Sequence, residues 1–419
     1  MRMHIAVLGA GVVGTTTAWY LRQAGHEVTV LERQSGAGQE TSFANGGQIS
    51  VSHAEPWANP AAPRKILKWL FQDDAPLLFR LRADPRQWLW GLRFLRECSA
   101  ARTRHNIIQI VNLGTYSRDR LQALRAETGI QYDQREQGIL HFYTNPQEFE
   151  AALGPAELMR EFGCQRDVIS AREAVALEPA LGCFESRIAG ATFTRHDESG
   201  DAGMFTRNLA ALAAEKGVDF RYGTTVLGLN RSGDRIEGAR IIEQGRHSVL
   251  KADAFVLSLG SYSEALARPL GVNLNIYPAK GYSITVPVDD ESQAHEVSLT
   301  DDEYKLVYSR LGNRLRVAGM AELSGYSRDL SLHRCKAIVA RASALFPKAG
   351  RWDEAEFWTG LRPATPSNVP YIGRSGLRNL YLNTGHGTLG WTHSCGSAAA
   401  LADIVDGQTP AVDFAFSGK

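Results

Sequence analysis

Neither sign of charge is in excess in this sequence. Forty-six Lys and Arg stand against 45 Asp and Glu, a formal net charge of +1. With no basic surplus there is no global attraction to nucleic acid, so any binding specificity must come from local sites. Cysteine is sparse: Cys98, Cys164, Cys183, Cys335 and Cys395 are odd in number and far apart. No C-x-x-C pair or Cys/His group at zinc spacing occurs, which excludes a disulfide framework and a zinc module. They read as reduced, partly buried thiols of a cytoplasmic protein, and no metal site is expected. No apolar run approaches the roughly 18 residues of a membrane span, so the chain is expected to be soluble or at most peripheral. Repeats and low-complexity tracts are also lacking.

What is present is globular composition: 419 residues, 44% hydrophobic and 22% charged, enough for one large or two medium domains. The N-terminus, Arg2 followed by Ile5, Ala6, Val7 and Leu8, imitates a short signal peptide. The glycines that follow explain it better. Residues 4–8 read as a buried strand, Gly9-Ala10-Gly11-Val12-Val13-Gly14 as a turn, and Thr15 to Ala24 as a helix. Gly25 to Glu27 form the next turn, and Val28 to Leu31 form a second buried strand ending at Glu32. This is a complete βαβ unit with G-x-G-x-x-G between strand and helix. Gly9 permits the tight turn, Gly11 lets backbone approach a pyrophosphate, and Gly14 lets the helix sit close to the strand. The helix N-terminus offers free N–H groups to phosphates, and Glu32 can accept both hydroxyls of an adenosine ribose. A carboxylate there argues against NADP. Arg33 beside it is expected over the adenine or in solvent. This unit alone leaves FAD and NAD both open.

Beyond Glu32 runs a polar, glycine-rich loop, residues 36–48, too long to be mere punctuation. Residues 103–127 read as a long amphipathic helix, 138–143 as a strand, and 147–162 and 171–177 as helices. The nucleotide-type pattern then returns. Residues 204–216 read as a helix, 218–222 and 224–229 as strands, 236–242 and 247–251 as a hairpin, and 254–260 as a buried strand ending in glycine. Strands are expected at 281–288, 315–320 and 379–383, and a small-residue helix at 394–405. We read an α/β chain: a discontinuous nucleotide-binding domain from 1–60, 192–276 and 355–419, and a substrate domain from 61–191 and 277–354.

Four strings are more specific than the glycine fingerprint: ETSFANGGQIS from Glu40 to Ser50, YPAKGYS from Tyr277, FWTGLRP from Phe357 and LNTGHGTLGW from Leu382. With the fingerprint and Glu32, they resemble the bacterial FAD-dependent D-amino-acid dehydrogenase family, within the D-amino-acid oxidase superfamily. The resemblance runs from residue 4 to about 410 in order. It implies a Rossmann-like FAD domain of the glutathione-reductase type beside a mixed-sheet α+β substrate domain, with non-covalent FAD. The cofactor set it implies comprises Val7, Gly9, Ala10, Gly11, Val12, Val13, Gly14, Glu32 and Arg33, then Ser42, Asn45, Gly46 and Gly47 along the flavin. Val226, Gly260 and the loop of Gly385, His386, Gly387, Thr388 and Leu389 at the pyrimidine end complete it. His386 either meets the flavin or only hydrogen-bonds its loop.

By the same resemblance Arg362, in Gly-x-Arg, pairs with the substrate carboxylate, for which a planar guanidinium fork is suited. The competing reading ties it to a buried carbonyl or acid. Tyr282, Tyr304 and Tyr308 are candidates for a second carboxylate contact or for ordinary packing. One departure stands out: Thr365-Pro366-Ser367-Asn368 replaces the family's Thr-Pro-Asp-Gly. Asn368 can take the left-handed conformation that glycine supplies. No catalytic acid or base and no His/Asp pair stands in these motifs, which fits direct hydride transfer from Cα to flavin N5.

Small D-amino acids are the implied substrates. Glycine, sarcosine or a cyclic imino acid stays open, as does an NAD-dependent dehydrogenase. The electron acceptor is expected to be a quinone or respiratory chain, and no nucleic-acid partner is expected. Residues 64–98 interleave Trp69, Phe71, Phe79, Trp88, Trp90 and Phe94 with eight Lys/Arg and four acids. That composition suits a peripheral contact with the inner face of the cell membrane or helices with a solvated basic face.

Overall fold

The computed structural model describes residues 2–69 and 77–418. The opening unit forms as its residues require. Strand His4–Leu8, helix Val12–Gln23 and strand Glu27–Leu31 follow in order. The two strands pair in parallel from His4 with Glu27 to Leu8 with Leu31. The helix begins three residues before the apolar pattern predicts, because the turn at Gly9 to Gly11 sets its start. Gly9 has a φ of +101°, and a Cβ on Gly14 would stand 1.9 Å from the Gly9 carbonyl oxygen. Only glycine lets this helix approach its strand so closely.

These strands belong to a six-stranded sheet ordered Tyr371–Arg374, Leu380–Thr384, Ala254–Leu257, His4–Leu8, Glu27–Leu31, Asp219–Arg221. All neighbours are parallel except the first pair. Alternate residues serve opposite faces. Ile5 and Val7 pack with Trp19, Leu121, Leu209 and Leu401 of four covering helices. Ala6 and Leu8 pack with Leu229, Ile236 and Ile241 of a three-stranded sheet, Thr224–Ser232, Arg235–Glu243 and Arg246–Leu250. Helix Gly390–Val405 reaches its neighbour Ala100–Thr128 through Gly396, where a Cβ would lie 2.7 Å from Ser117 Cα.

The second large sheet has nine strands. Its path runs Glu356–Ala364, Tyr277–Pro287, Arg314–Leu323, Leu306–Leu311, Ser298–Asp301, Ile139–Tyr143, Gly190–Thr194, Asp167–Ile169, with Leu77–Phe79 paired to Arg314–Leu323. Glu356–Ala364, grouped by the sequence with the nucleotide-binding piece, is hydrogen-bonded into this sheet throughout its length. Register aligns residues that are remote in sequence: Gly281 faces Gly360, Val307 faces Ala318 and Thr300, and Thr300 faces His141. Helix Leu332–Leu345 covers one face, with Ile338 and Leu345 packed against Ile284 and Val317.

Helix Pro85–Glu97 starts at an Asp84 cap, whose carboxylate accepts from Arg86 N at 3.1 Å. Trp90 and Phe94 bury against Ala279, Leu323 and Ala364, while Trp88, Leu89, Leu92 and Leu95 lie exposed. The expected aromatic Phe71 lies outside the described residues.

Candidate active site

Open parallel sheets bind ligands beyond the carboxyl ends of their strands. Here those ends carry Gly9, Glu32, Ser258 and Gly385, and all four line one cleft of about 710 Å³ shared with the nine-stranded sheet. Helices Val12–Gln23 and Gly390–Val405 both turn their N-termini towards it, through Val12 and Val13 and through Gly390 and Thr392. Two positive helix ends on one cleft favour an anionic ligand.

At the nucleotide end, Glu32 is buried and its carboxylate accepts from Ala10 N at 2.8 Å and Gln34 N at 2.9 Å. Ser42 Oγ accepts from Val12 N at 3.0 Å, which ties the long loop to the start of the helix. Gly9, Gly11, Val12, Val13, Arg33, Val226 and Gly260 line the cleft, as do Ser42, Asn45, Gly46, Gly47 and Gly385 to Leu389. Val7 is core, Ala10 serves Glu32, and Gly14 shapes the turn; these three stand behind the wall. Arg33 is not free in solvent: its guanidinium lies 4.1 Å over the Tyr262 ring and pairs with Glu40 at 2.7 Å. Ser258 Oγ, Asn383 Oδ1 and His386 Nε2 are buried without hydrogen-bond partners among the described residues, and all three residues line the cleft. Burial pushes His386 down to about 3, so the imidazole is neutral, and that nitrogen makes no bond to its loop.

Arg362 occupies the other wall. Its one hydrogen-bond partner among the described residues is the Met320 carbonyl, at 2.8 Å, and no described carboxylate lies within ion-pair distance. Burial lowers it to about 10, which leaves it cationic at neutral pH. Two backbone features seat it. Gly281 lies beneath the guanidinium, where a Cβ would stand 2.0 Å from Nη1. Met320 holds a φ of +55°, a costly conformation for a side-chain-bearing residue, and its carbonyl receives Arg362.

The three tyrosines offered for a second carboxylate contact or for packing are placed differently from one another. Tyr282 reaches the cleft wall, but its hydroxyl donates to Glu322 at 2.7 Å. On strand Leu306–Leu311 Val307 faces the cleft, so Tyr308, one residue on, points into the core with Leu299 and Phe346. Tyr304 is exposed, with the Arg341 guanidinium 4.1 Å over its ring. Asn368 does adopt φ +61°. Its Oδ1 accepts from Trp57 N at 3.1 Å, and Ser367 Oγ accepts from Val369 N at 3.2 Å, the turn-shaping bond an aspartate makes.

The motifs also missed a polar group further along the cleft. His141 Nδ1 lies 3.3 Å from Asp302 Oδ2, its Nε2 lies 3.3 Å from Ser52 Oγ, and its ring stacks 6.2 Å from that of His53. A His/Asp pair therefore does line the cleft. Burial holds both histidines down to about 4. Arg166 is buried beside them, bonded to Thr192 Oγ1, the Ser52 carbonyl and Tyr143 OH. Strand register assembles this group from segments 90 to 250 residues apart, so no local spacing could reveal it. Among the described residues no group of three or more His, Cys, Asp or Glu is placed to hold a metal ion.

Comparison with known proteins matches residues 4–404 to the DAO family of FAD-dependent oxidoreductases. The chain belongs to that family. FAD is thereby decided over the NAD that the βαβ unit left open. This FAD-dependent oxidoreductase is 58% identical over 415 residues to a D-amino acid dehydrogenase of Dechloromonas aromatica, covering 99% of both chains. It is 54% identical over 411 residues to another of Paramagnetospirillum magneticum, covering 98% of this chain and 96% of the relative. Its fold is similar to glycine oxidase from Bacillus cereus (TM-score 0.72, 22% identity, 97% of this chain and 98% of that one). It is also similar to L-proline dehydrogenase from P. horikoshii (TM-score 0.75, 18% identity, 97% and 94%). The cleft fits such a cofactor. It supplies two helix N-termini, glycine-floored approaches and buried polar atoms that lack partners among the described residues.

Proposed function

We propose that the protein oxidises the Cα–N bond of D-amino acids, yielding 2-oxo acids and ammonia, and passes the electrons to a quinone or another acceptor than oxygen. The observation that carries this reading is Arg362, a buried guanidinium on the cleft wall with no carboxylate partner among the described residues. A ligand carboxylate is the chemistry it lacks. The names of the relatives at 54–58% identity supply the D-configuration and the dehydrogenase class.

In this reading the N-terminus of Val12–Gln23 receives the pyrophosphate of FAD, Glu32 the ribose, and the Ser42–Gly47 and Gly385–Leu389 loops the isoalloxazine ring. FAD, when bound, supplies the hydride acceptor. The protein's part is positioning. Arg362 fixes the substrate carboxylate, and Gly281 and the Met320 carbonyl fix Arg362. The N-terminus of Gly390–Val405 favours negative charge at the pyrimidine end.

We infer further that the Pro85–Glu97 helix seats the protein on an anionic lipid surface, where a lipid-soluble acceptor is found. Trp88, Leu92 and Leu95 recur at i, i+4 and i+7 on its exposed face, and Arg82 and Arg96 flank them in solvent. No helix among the described residues is long and apolar enough to cross a membrane.

The test is an anaerobic titration of the purified protein with D- and L-alanine, D- and L-proline and sarcosine while flavin absorbance is followed. Bleaching by the D-enantiomers alone supports the reading. Bleaching only by sarcosine or L-proline moves the substrate, and no response to any of them sinks the reading.

A further inference from the structure

The positioning scheme uses the Arg362 end of the cleft and leaves the polar group around His141 without a task. That group is a chain. Ser50 and Ser52 line the cleft, with their Oγ atoms 3.1 Å apart. Ser52 Oγ is 3.3 Å from His141 Nε2, and His141 Nδ1 is 3.3 Å from Asp302 Oδ2. Asp302 Oδ1 accepts from Lys305 Nζ at 2.9 Å, and the Lys305 side chain is 42% exposed. The inner end is anchored. Asp197, fully buried, accepts from Ser52 Oγ at 2.6 Å and from the N–H groups of Val51 and Ser52, while Ser50 N donates to Thr392 Oγ1 at 3.0 Å. Both ring nitrogens of one buried imidazole thus lie against groups that exchange protons, with the buried serines of the cleft wall on one side and the exposed Lys305 at its rim on the other.

We propose that Ser50, Ser52, His141 and Asp302 form a proton relay along the cleft wall, from its buried inner end to its solvent-exposed rim, carrying out the proton that a bound substrate ammonium must shed before its Cα–H bond breaks. This inference rests on the oxidative reading given above. The balance is simple. One ammonium N–H bond breaks, its electron pair stays on nitrogen, and that pair drives the departure of hydride from Cα. The proton enters at the serine end, the Ser52 hydroxyl turns from Asp197 to His141 Nε2, each link releases one proton as it takes one, and one leaves from Asp302 to water. Nothing within the relay is oxidised or reduced.

The surroundings suit a relay better than a reservoir. Burial keeps His141 neutral above about pH 4, so it is free to accept and does not trap the proton. Asp302 favours its transient protonation, while Arg166 and Lys305 oppose it. Among the described residues His53, Glu55, Lys65, Tyr143 and Glu148 are the other titratable groups on this part of the cleft, and Glu148 lies 3.8 Å from Lys305. The Asp302 contact also sets the tautomer, as carboxylate–imidazole pairs do.

The test is stopped-flow reduction of the FAD-loaded protein by D-alanine under nitrogen, across pH and in H2O and D2O. Ser52→Ala and His141→Gln are expected to slow reduction by about tenfold or more near neutral pH. The deficit should shrink as pH rises towards the amine's own pKa, because free-amine substrate brings no proton to remove. Both variants should gain a solvent isotope effect that the parent lacks, and added imidazole should restore part of the His141→Gln rate. NMR titration of the resting protein should show His141 neutral from about pH 5 to 8, in Ser52→Ala as in the parent; this readout is independent of turnover and reports that the variant is folded. Parent-like rates, or a deficit constant over pH with no isotope effect, would overturn the relay alone. A parent protein that no D-amino acid bleaches would remove the oxidative reading and the relay together.

Discussion

Arg362 shows how a single charge can be held ready by backbone rather than by a counter-ion. A carboxylate beside it would neutralise the site; among the described residues it meets instead the Met320 carbonyl and the bare Cα of Gly281. Truncating one member of a desolvated charge pair costs about 2–5 kcal/mol. Arg362→Met should therefore lower kcat/KM for D-alanine by about a hundredfold or more. Arg362→Lys should recover only part of this, since an ammonium cannot reproduce the fork. Gly281→Ala offers a subtler test. Its methyl group would occupy the space of the guanidinium, so KM should rise steeply while the far-UV spectrum and thermal midpoint stay near the parent's. An unchanged KM in that variant would show that Arg362 does not depend on its glycine seat. The motif around Arg362 was legible in the sequence. The tyrosines were not, because whether a strand residue faces cleft or core turns on a one-residue parity that composition does not carry.

At the scale of elements, helix Pro85–Glu97 is apolar on two faces, one satisfied by the core and one not. Leu92→Asp with Leu95→Asp should abolish sedimentation with anionic vesicles. Both sites are more than half exposed, at 63% and 52%, so the thermal midpoint should hardly move. Co-sedimentation that persists in the double variant would end the membrane reading of this face. The buried elements were the legible ones. His4–Leu8, Glu27–Leu31 and Ala254–Leu257 announce themselves as apolar runs, and the long helix from 100 to 128 as an amphipathic one. Glu356–Ala364 was harder: its place in the nine-stranded sheet depends on pairing with Tyr277–Pro287, about 80 residues away, which no local pattern carries. The His141–Asp302 pair was invisible for the same reason: it exists only once Ile139–Tyr143 and Ser298–Asp301 have paired.

For the molecule as a whole, five histidines held neutral by burial tie stability to pH. His53, His141 and His295 are held at about 4, and His386 and His393 at about 3, in each case chiefly by burial. In the unfolded chain each titrates near 6.5. Between about pH 6.5 and 4 the unfolded chain therefore binds protons that the native protein refuses, and stability falls as pH falls through that window. Urea midpoints measured between about pH 7.5 and 5 should decline steadily, well above the range where carboxylates alone act. A flat profile there would mean that these imidazoles are not buried and neutral together.

The strand order of the six-stranded sheet also dictates when the protein can come into being. His4–Leu8 leaves the ribosome early, but its neighbour Ala254–Leu257 comes past mid-chain, and the Gly385–Leu389 loop follows only after the last central strand. At about 5–20 residues per second of synthesis, the nascent chain spends tens of seconds with an unpaired apolar strand edge and no complete cofactor site. Capture of FAD is thus a late event in biogenesis, and a chain stalled before residue 380 is a substrate for chaperones and proteases rather than a partial enzyme.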